Sequence, residues 1–136
     1  GIQTKVLQHG GFNSREEFDG KLVEIINSYK PDLVVLSGFM RILSRVFTEN
    51  IKAINIHPSL LPKFKGTRAI ERSFESLDNE CGVSVHWVNS ELDGGEIIVQ
   101  KSFLKEQNET LENFSAKIKQ IEYEIMPEAI LKVLKI

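Results

Sequence analysis

Apolar residues change their spacing along this chain, and each change marks an element. Phe18, Leu22, Ile25, Ile26 and Tyr29 recur at helical intervals and share one face. Just ahead of them, Ser14-Arg-Glu-Glu17 has the form of a capping box, and Pro31 stands where a helix stops. Leu33 to Leu36 is continuously apolar, the pattern of a strand covered on both faces. Residues 2–8 alternate weakly and predict a short edge-like strand. Ser44 opens a short helix, residues 53–57 form the next strand, and a helix follows near 67–77. Residues 83–88 alternate as a strand, 96–103 provide another, and Thr110 caps a helix presenting Leu111, Phe114, Ile118, Ile121 and Ile125. Pro127 is expected to kink or restart that helix. The order βαβαβαββα predicts one α/β domain, a layered doubly wound and mostly parallel sheet with helices on both faces. Ligands of such sheets sit beyond the carboxyl ends of the strands, where the polar segments 37–43 and 55–66 begin.

Composition narrows the partners. At 136 residues the chain fits a single domain, and a formal net charge of −2 gives no reason to expect nucleic acid or an anionic membrane. Cys81 is the only cysteine, which excludes an intrachain disulfide and suits a reducing cytoplasm. The opening residues lack a charged-then-apolar signal, and no apolar run approaches the ~20 residues of a membrane span.

Three segments carry candidate chemistry. Alternation puts Asn55 and His57 on one side of a strand at its very end. An amide donor and an imidazole emerging together suit a tetrahedral acyl-transfer intermediate; taken as isolated residues, they read first as a loop cap at Asn55 and a satisfied strand-end residue at His57. Asp93-Gly94-Gly95 marks a tight loop in which a carboxylate that reached His57 would favour the imidazolium; an ordinary hairpin turn gives the same dipeptide. Residues 38–43 are apolar for a loop, fit to line a slot for a flat heterocycle or to connect buried elements. His57, His86, Asp93 and Cys81 lack a close ligand pair at zinc-type spacing, so no metal is expected. A nucleophile motif and the glycine-rich dinucleotide fingerprint are absent as well.

Taken in order, these segments resemble the glycinamide ribonucleotide formyltransferase family from end to end. The resemblance rests on Phe12-Asn-Ser-Arg-Glu-Glu-Phe18, Val34 through Leu43, Ala53-Ile-Asn-Ile-His-Pro-Ser-Leu-Leu-Pro62, Gly82-Val-Ser-Val-His-Trp-Val88 and Glu91-Leu-Asp-Gly-Gly95. It implies the formyltransferase fold and direct transfer of a formyl group from 10-formyltetrahydrofolate to the amine of glycinamide ribonucleotide, with no metal and no covalent enzyme intermediate. By the same resemblance Asn55, His57 and Asp93 match the catalytic trio. Folate contacts map to Arg15, Met40, Arg41, Ile42, Leu43 and Asn55, and to Asn89, Ser90, Glu91, Leu92 and Asp93. Lys119, Gln120, Ile121 and Glu122 map to the ribonucleotide, with Glu122 at its amine.

The sequence departs from the family pattern in two places. The family opens with a strand and a Ser-Gly-x-Gly-Ser-Asn phosphate loop, so residues 1–136 are expected to be the C-terminal catalytic portion of one domain. That implies retained affinity for folate, weakened affinity for the ribonucleotide, and a sheet edge covered by a second copy or by an N-terminal segment. The second departure follows Gly66, where many members carry a histidine and this chain reads Thr67-Arg68-Ala69-Ile70. Related readings are a formyltetrahydrofolate hydrolase, other folate-dependent formyltransferases, and a folate-binding remnant without catalysis.

Overall fold

The computed structural model describes residues 1–39 and 41–136, so Met40 and its expected folate contact lie outside the described residues. The elements run α1 (Arg15–Ser28), β1 (Val34–Leu36), α2 (Arg45–Thr48), β2 (Ala53–His57), α3 (Ala69–Glu75), β3 (Glu80–Trp87), β4 (Ile97–Leu104) and α4 (Leu111–Leu134). The capping residues act as expected: Ser14 accepts from the Glu17 amide at 3.0 Å and Thr110 from the Asn113 amide at 3.1 Å. The Glu17 carboxylate reaches back to the Asn13 amide, one residue further than the standard box.

The four strands form one open sheet in the order β1-β2-β3-β4. Helices cover both faces, because the apolar residues of β2 alternate. Ala53 packs with Leu36, Phe47 and Ile51 against Leu22, Val23 and Ile26 of α1. Ile54 packs with Val83, Val85 and the α4 residues Phe114, Ile118, Ile121 and Ile125.

Several expectations are corrected. The sheet is parallel only between β1 and β2; β2–β3 and β3–β4 are antiparallel. The chain leaves β2 and enters β3 at the same end of the strands, with His57 level with Ser84, so α3 joins them on the α4 side of the sheet and makes no crossover. Residues 2–8 form no strand: Ile2 and Val6 are almost fully exposed and have no sheet to face. β1 is not covered on both faces, since Val35 is 38% exposed while Leu36 is buried. Pro127 lies inside α4 without ending it.

Candidate active site

The register of the sheet assembles the site. In antiparallel neighbours, residues directly opposite one another share a face. Asn55 lies opposite His86 and His57 opposite Ser84, which places four polar residues in a block at the carboxyl end of β2. Ser84, His86 and His57 are all buried.

Ser84 anchors the loop that follows. Its hydroxyl donates to the Ser59 carbonyl at 2.7 Å and accepts from the Leu61 amide at 3.1 Å and from Gln100 Nε2 at 2.8 Å. Gln100 also donates to the Leu61 carbonyl, and the Ser59 hydroxyl donates to the Lys63 carbonyl. The buried polar groups of the turn at Ser59 and Leu61 are therefore paired, chiefly by Ser84 and Gln100 of the neighbouring strands.

That loop carries Phe64, whose carbonyl lies 2.8 Å from His57 Nε2. A carbonyl only accepts, so Nε2 carries a hydrogen and Nδ1 is left to face Asp93 Oδ2 at 3.5 Å. The Gly66 amide donates to the same oxygen at 2.9 Å. The other oxygen, Oδ1, lies 3.6 Å from His86 Nε2. Burial alone raises the Asp93 carboxyl; the His86 ring, the Gly66 amide and the charge of His57 outweigh it and hold the group below its ordinary value of 3.8.

Asp93 is not the corner of a tight hairpin. It stands in the longer connection 88–96 between β3 and β4, in left-handed conformation at φ 50°. The following glycines serve close approach: a Cβ on Gly95 would enter the Trp87 carbonyl, and one on Gly94 would strike the Glu91 side chain. Beside Asp93 a cavity of ≈ 320 Å³ is bounded by Leu61, Pro62, Lys65, Gly94, Gly95 and Ile97. Lys65 pairs with Glu91 at 3.4 Å, joining the two loops.

The remaining expected residues divide by position. Arg41 stacks on the Phe18 ring at 4.1 Å, Leu43 packs into the smaller core, and Ile42 is exposed. Arg15 is exposed at the start of α1, and on the Asp93 loop Asn89, Ser90, Glu91 and Leu92 are all exposed. Lys119 and Gln120 are exposed on α4, but Ile121 is buried in the larger core, so its side chain packs and is not free to touch a ligand. Burial raises the Glu122 carboxyl, with Lys119 opposing in part. Arg68, in left-handed conformation, precedes α3.

Two contacts are not legible in the sequence. There His86 is only a face-mate of Ser84; its approach to Asp93 depends on the β3–β4 connection folding back. Asp19, fully buried, accepts from both the amide and the hydroxyl of Ser44 at 2.7 Å and so caps α2. An acidic residue among charged helix neighbours gives no local sign of that.

Comparison with known proteins agrees with this architecture. The formyl transferase family model matches residues 1–130. Phosphoribosylglycinamide formyltransferase of Escherichia coli is 42% identical over 129 residues, covering 93% of this chain and 61% of that protein. The human trifunctional purine biosynthetic protein adenosine-3 is 39% identical over 132 residues, 96% of this chain and 13% of that much longer one. The crystal structure of phosphoribosylglycinamide formyltransferase from Campylobacter jejuni superposes with a TM-score of 0.95 at 54% identity, over 98% of this chain and 70% of that one. The chain thus spans about three fifths of the bacterial curated relative. With a family model matched along nearly its whole length and the fold of its relatives, the chain belongs to the formyl transferase family.

Proposed function

We propose that this chain carries the catalytic part of an enzyme transferring the formyl group of 10-formyltetrahydrofolate to the amine of glycinamide ribonucleotide, a step of purine biosynthesis in the cytoplasm. The observation that carries the reading is the buried His57–Asp93 pair, with Asn55 on the same strand face, in a chain similar to enzymes named for this transfer. In this reading the amine attacks the formyl carbon, and a new C–N bond forms as the bond to the folate N10 breaks. The amine loses a proton and N10 gains one. Asn55 donates to the developing oxyanion, and protonated His57 supplies the positive charge beside it. Asp93, with Oδ2 3.5 Å from Nδ1, faces the ring from behind and fixes its plane. The cavity beside Asp93 supports placing the formyl end there: Leu61, Pro62 and Ile97 give it an apolar side, and the Gly94 and Gly95 backbone stays within reach.

His57 Nε2 is engaged by the Phe64 carbonyl in this structure. Delivery of charge from Nε2 to the substrate requires that carbonyl to give way while the Asp93 contact persists. Glu122, its carboxyl raised by burial, is assigned to the ribonucleotide amine, with Lys119 and Gln120 beside it. The folate is assigned to Arg15, residues 40–43 and residues 89–93.

The test is steady-state formyl transfer by the full-length protein, with formate release measured in parallel. Formylated ribonucleotide as the dominant product supports the reading. Formate released at the same rate with and without the amine would identify a hydrolase instead.

A further inference from the structure

We propose that His86 is a positioning residue of this active site: its ring, fastened to the Trp87 carbonyl, holds Asp93 Oδ1 and so aims Oδ2 at His57. The proposal rests on the functional reading above for its kinetic meaning, and on geometry alone for its structural meaning.

His86 is 2% exposed, and its two nitrogens have different surroundings. Nδ1 lies 2.9 Å from the Trp87 carbonyl oxygen, an acceptor only, so Nδ1 holds a hydrogen. Nε2 is buried and has no hydrogen-bond partner within ordinary distance among the described residues. The polar atom it faces is Asp93 Oδ1, at 3.6 Å. A bare nitrogen there would oppose a carboxylate oxygen across a buried gap; a protonated one makes a charge-assisted contact. His57 repeats the arrangement from the other side, with Nε2 on the Phe64 carbonyl and Nδ1 toward Oδ2. One carboxylate therefore stands between two rings, each held from behind by a backbone carbonyl.

The anchor of His86 is itself fixed. Trp87 is tied through its amide to the Glu96 carbonyl at 2.9 Å, and Gly95 lies so close to the Trp87 carbonyl that no side chain fits between them. The absence of a side chain at Gly95 thereby lets the loop carrying Asp93 close against the carbonyl that orients His86. The charged and titratable groups around Asp93 are His57 from β2, His86 from β3, and Lys65 from the 58–66 segment. Glu91, on the same loop as Asp93, is paired with Lys65. Among the interactions that hold the Asp93 carboxyl down, that with His86 is the largest.

The experiment compares His86→Phe and His86→Gln in the full-length protein. His86→Phe is expected to lower kcat roughly tenfold to a hundredfold, the range for losing an outer partner of a catalytic group, with KM within about twofold. Its acidic limb should move to higher pH, because Asp93 loses the contact that most depresses it. His86→Gln, whose amide can donate to Oδ1, should recover most of kcat at an unchanged melting temperature. Turnover of His86→Phe within about twofold of the unaltered protein, or His86→Gln as slow as His86→Phe at equal stability, overturns the proposal.

A second arm needs no substrate and no folded His86→Phe. Ring ¹⁵N spectra of the unaltered protein should show a hydrogen on His86 Nε2 protected from solvent exchange, with a signal that disappears in Asp93→Asn. A bare Nε2 in the unaltered protein overturns the proposal. If the Nε2–H signal is present but the protein forms no formylated ribonucleotide, the functional reading fails and the positioning role stands.

Discussion

At Asp93, burial and hydrogen bonding act in opposite directions on one carboxyl group, and the sum sets how the site responds to acid. Burial raises the group, but the imidazoles and the Gly66 amide bring it below 3.8. A carboxyl depressed on folding contributes stability that is fully present above its unfolded value and is lost as pH falls through the folded one. The Asp93 contacts therefore hold throughout neutral and mildly acidic conditions and fade below about pH 3.8. Asp93→Asn keeps the size and loses the charge; turnover should fall about 10²–10⁴-fold, the scale of a lost acid–base contribution, while circular dichroism stays unchanged. Wild-type turnover in that variant would leave Asp93 as a turn residue only. Glu122 has the opposite sign. Its carboxyl is raised by burial, so the charged form costs stability once pH exceeds the ordinary value of 4.5. Glu122→Gln should raise Tm at neutral pH on the order of 1–2 °C, since partial solvent exposure screens the effect, and the gain should vanish near pH 4. A gain of stability joined to weaker ribonucleotide binding is the signature of a residue kept for its ligand; unchanged binding would remove Glu122 from the site. At this scale the sequence is informative where chemistry repeats in a fixed order, as in Asn55-Ile-His57 and Leu92-Asp-Gly-Gly95. It is silent on Phe64 and His86, because a backbone carbonyl or a second histidine becomes a partner only after loops from different strands have met.

The helices show the same division between local and distant causes. α1 is legible from its cap and stripe because both lie within the helix and the residue before it. α2 is four residues long, too short to hold itself, and its N-cap Ser44 makes no side-chain cap bond. The missing acceptor is supplied by Asp19, 25 residues earlier, on the face of α1 that meets α2. The carboxylate fixes how the two helices dock and therefore where the segment Arg41 to Leu43 runs between β1 and α2. Asp19→Ala should cost about 1–3 kcal/mol in urea denaturation, because two charge-assisted bonds and a buried acceptor are lost together. Asp19→Asn, retaining an acceptor oxygen, should recover part of it. A cost below about 0.5 kcal/mol for the alanine variant would mean that water replaces the carboxylate at Ser44. The helix-strand order is thus readable from the chain, while the strand directions are not. A bridging helix and a crossover helix have the same apolar period, and only the end of the strands at which the chain re-enters the sheet separates them.

Across the whole molecule, the two cores are drawn from different stretches of chain. Residues 15–53 build the smaller one, around α1, α2 and Leu36, Phe47, Ile51 and Ala53. Residues 81–129 supply nearly all of the larger one, from β3 and α4, with Ile54 inserted from β2. Cooperative unfolding units in native proteins follow such contiguous blocks. Hydrogen exchange should accordingly resolve two units, with the amides of β3, β4 and the middle of α4 slowest and those of α1 and β1 exchanging through a separate, cheaper opening. One common opening energy for every protected amide would refute the division. Asn55 and His57 belong to the strand that joins the units, whereas His86 and Asp93 belong wholly to the second. Partial opening of the smaller unit would then strip the packing from one face of that strand while its pairing with β3 persists, and heat would disturb the Asn55–His57 end of the site before it abolishes structure.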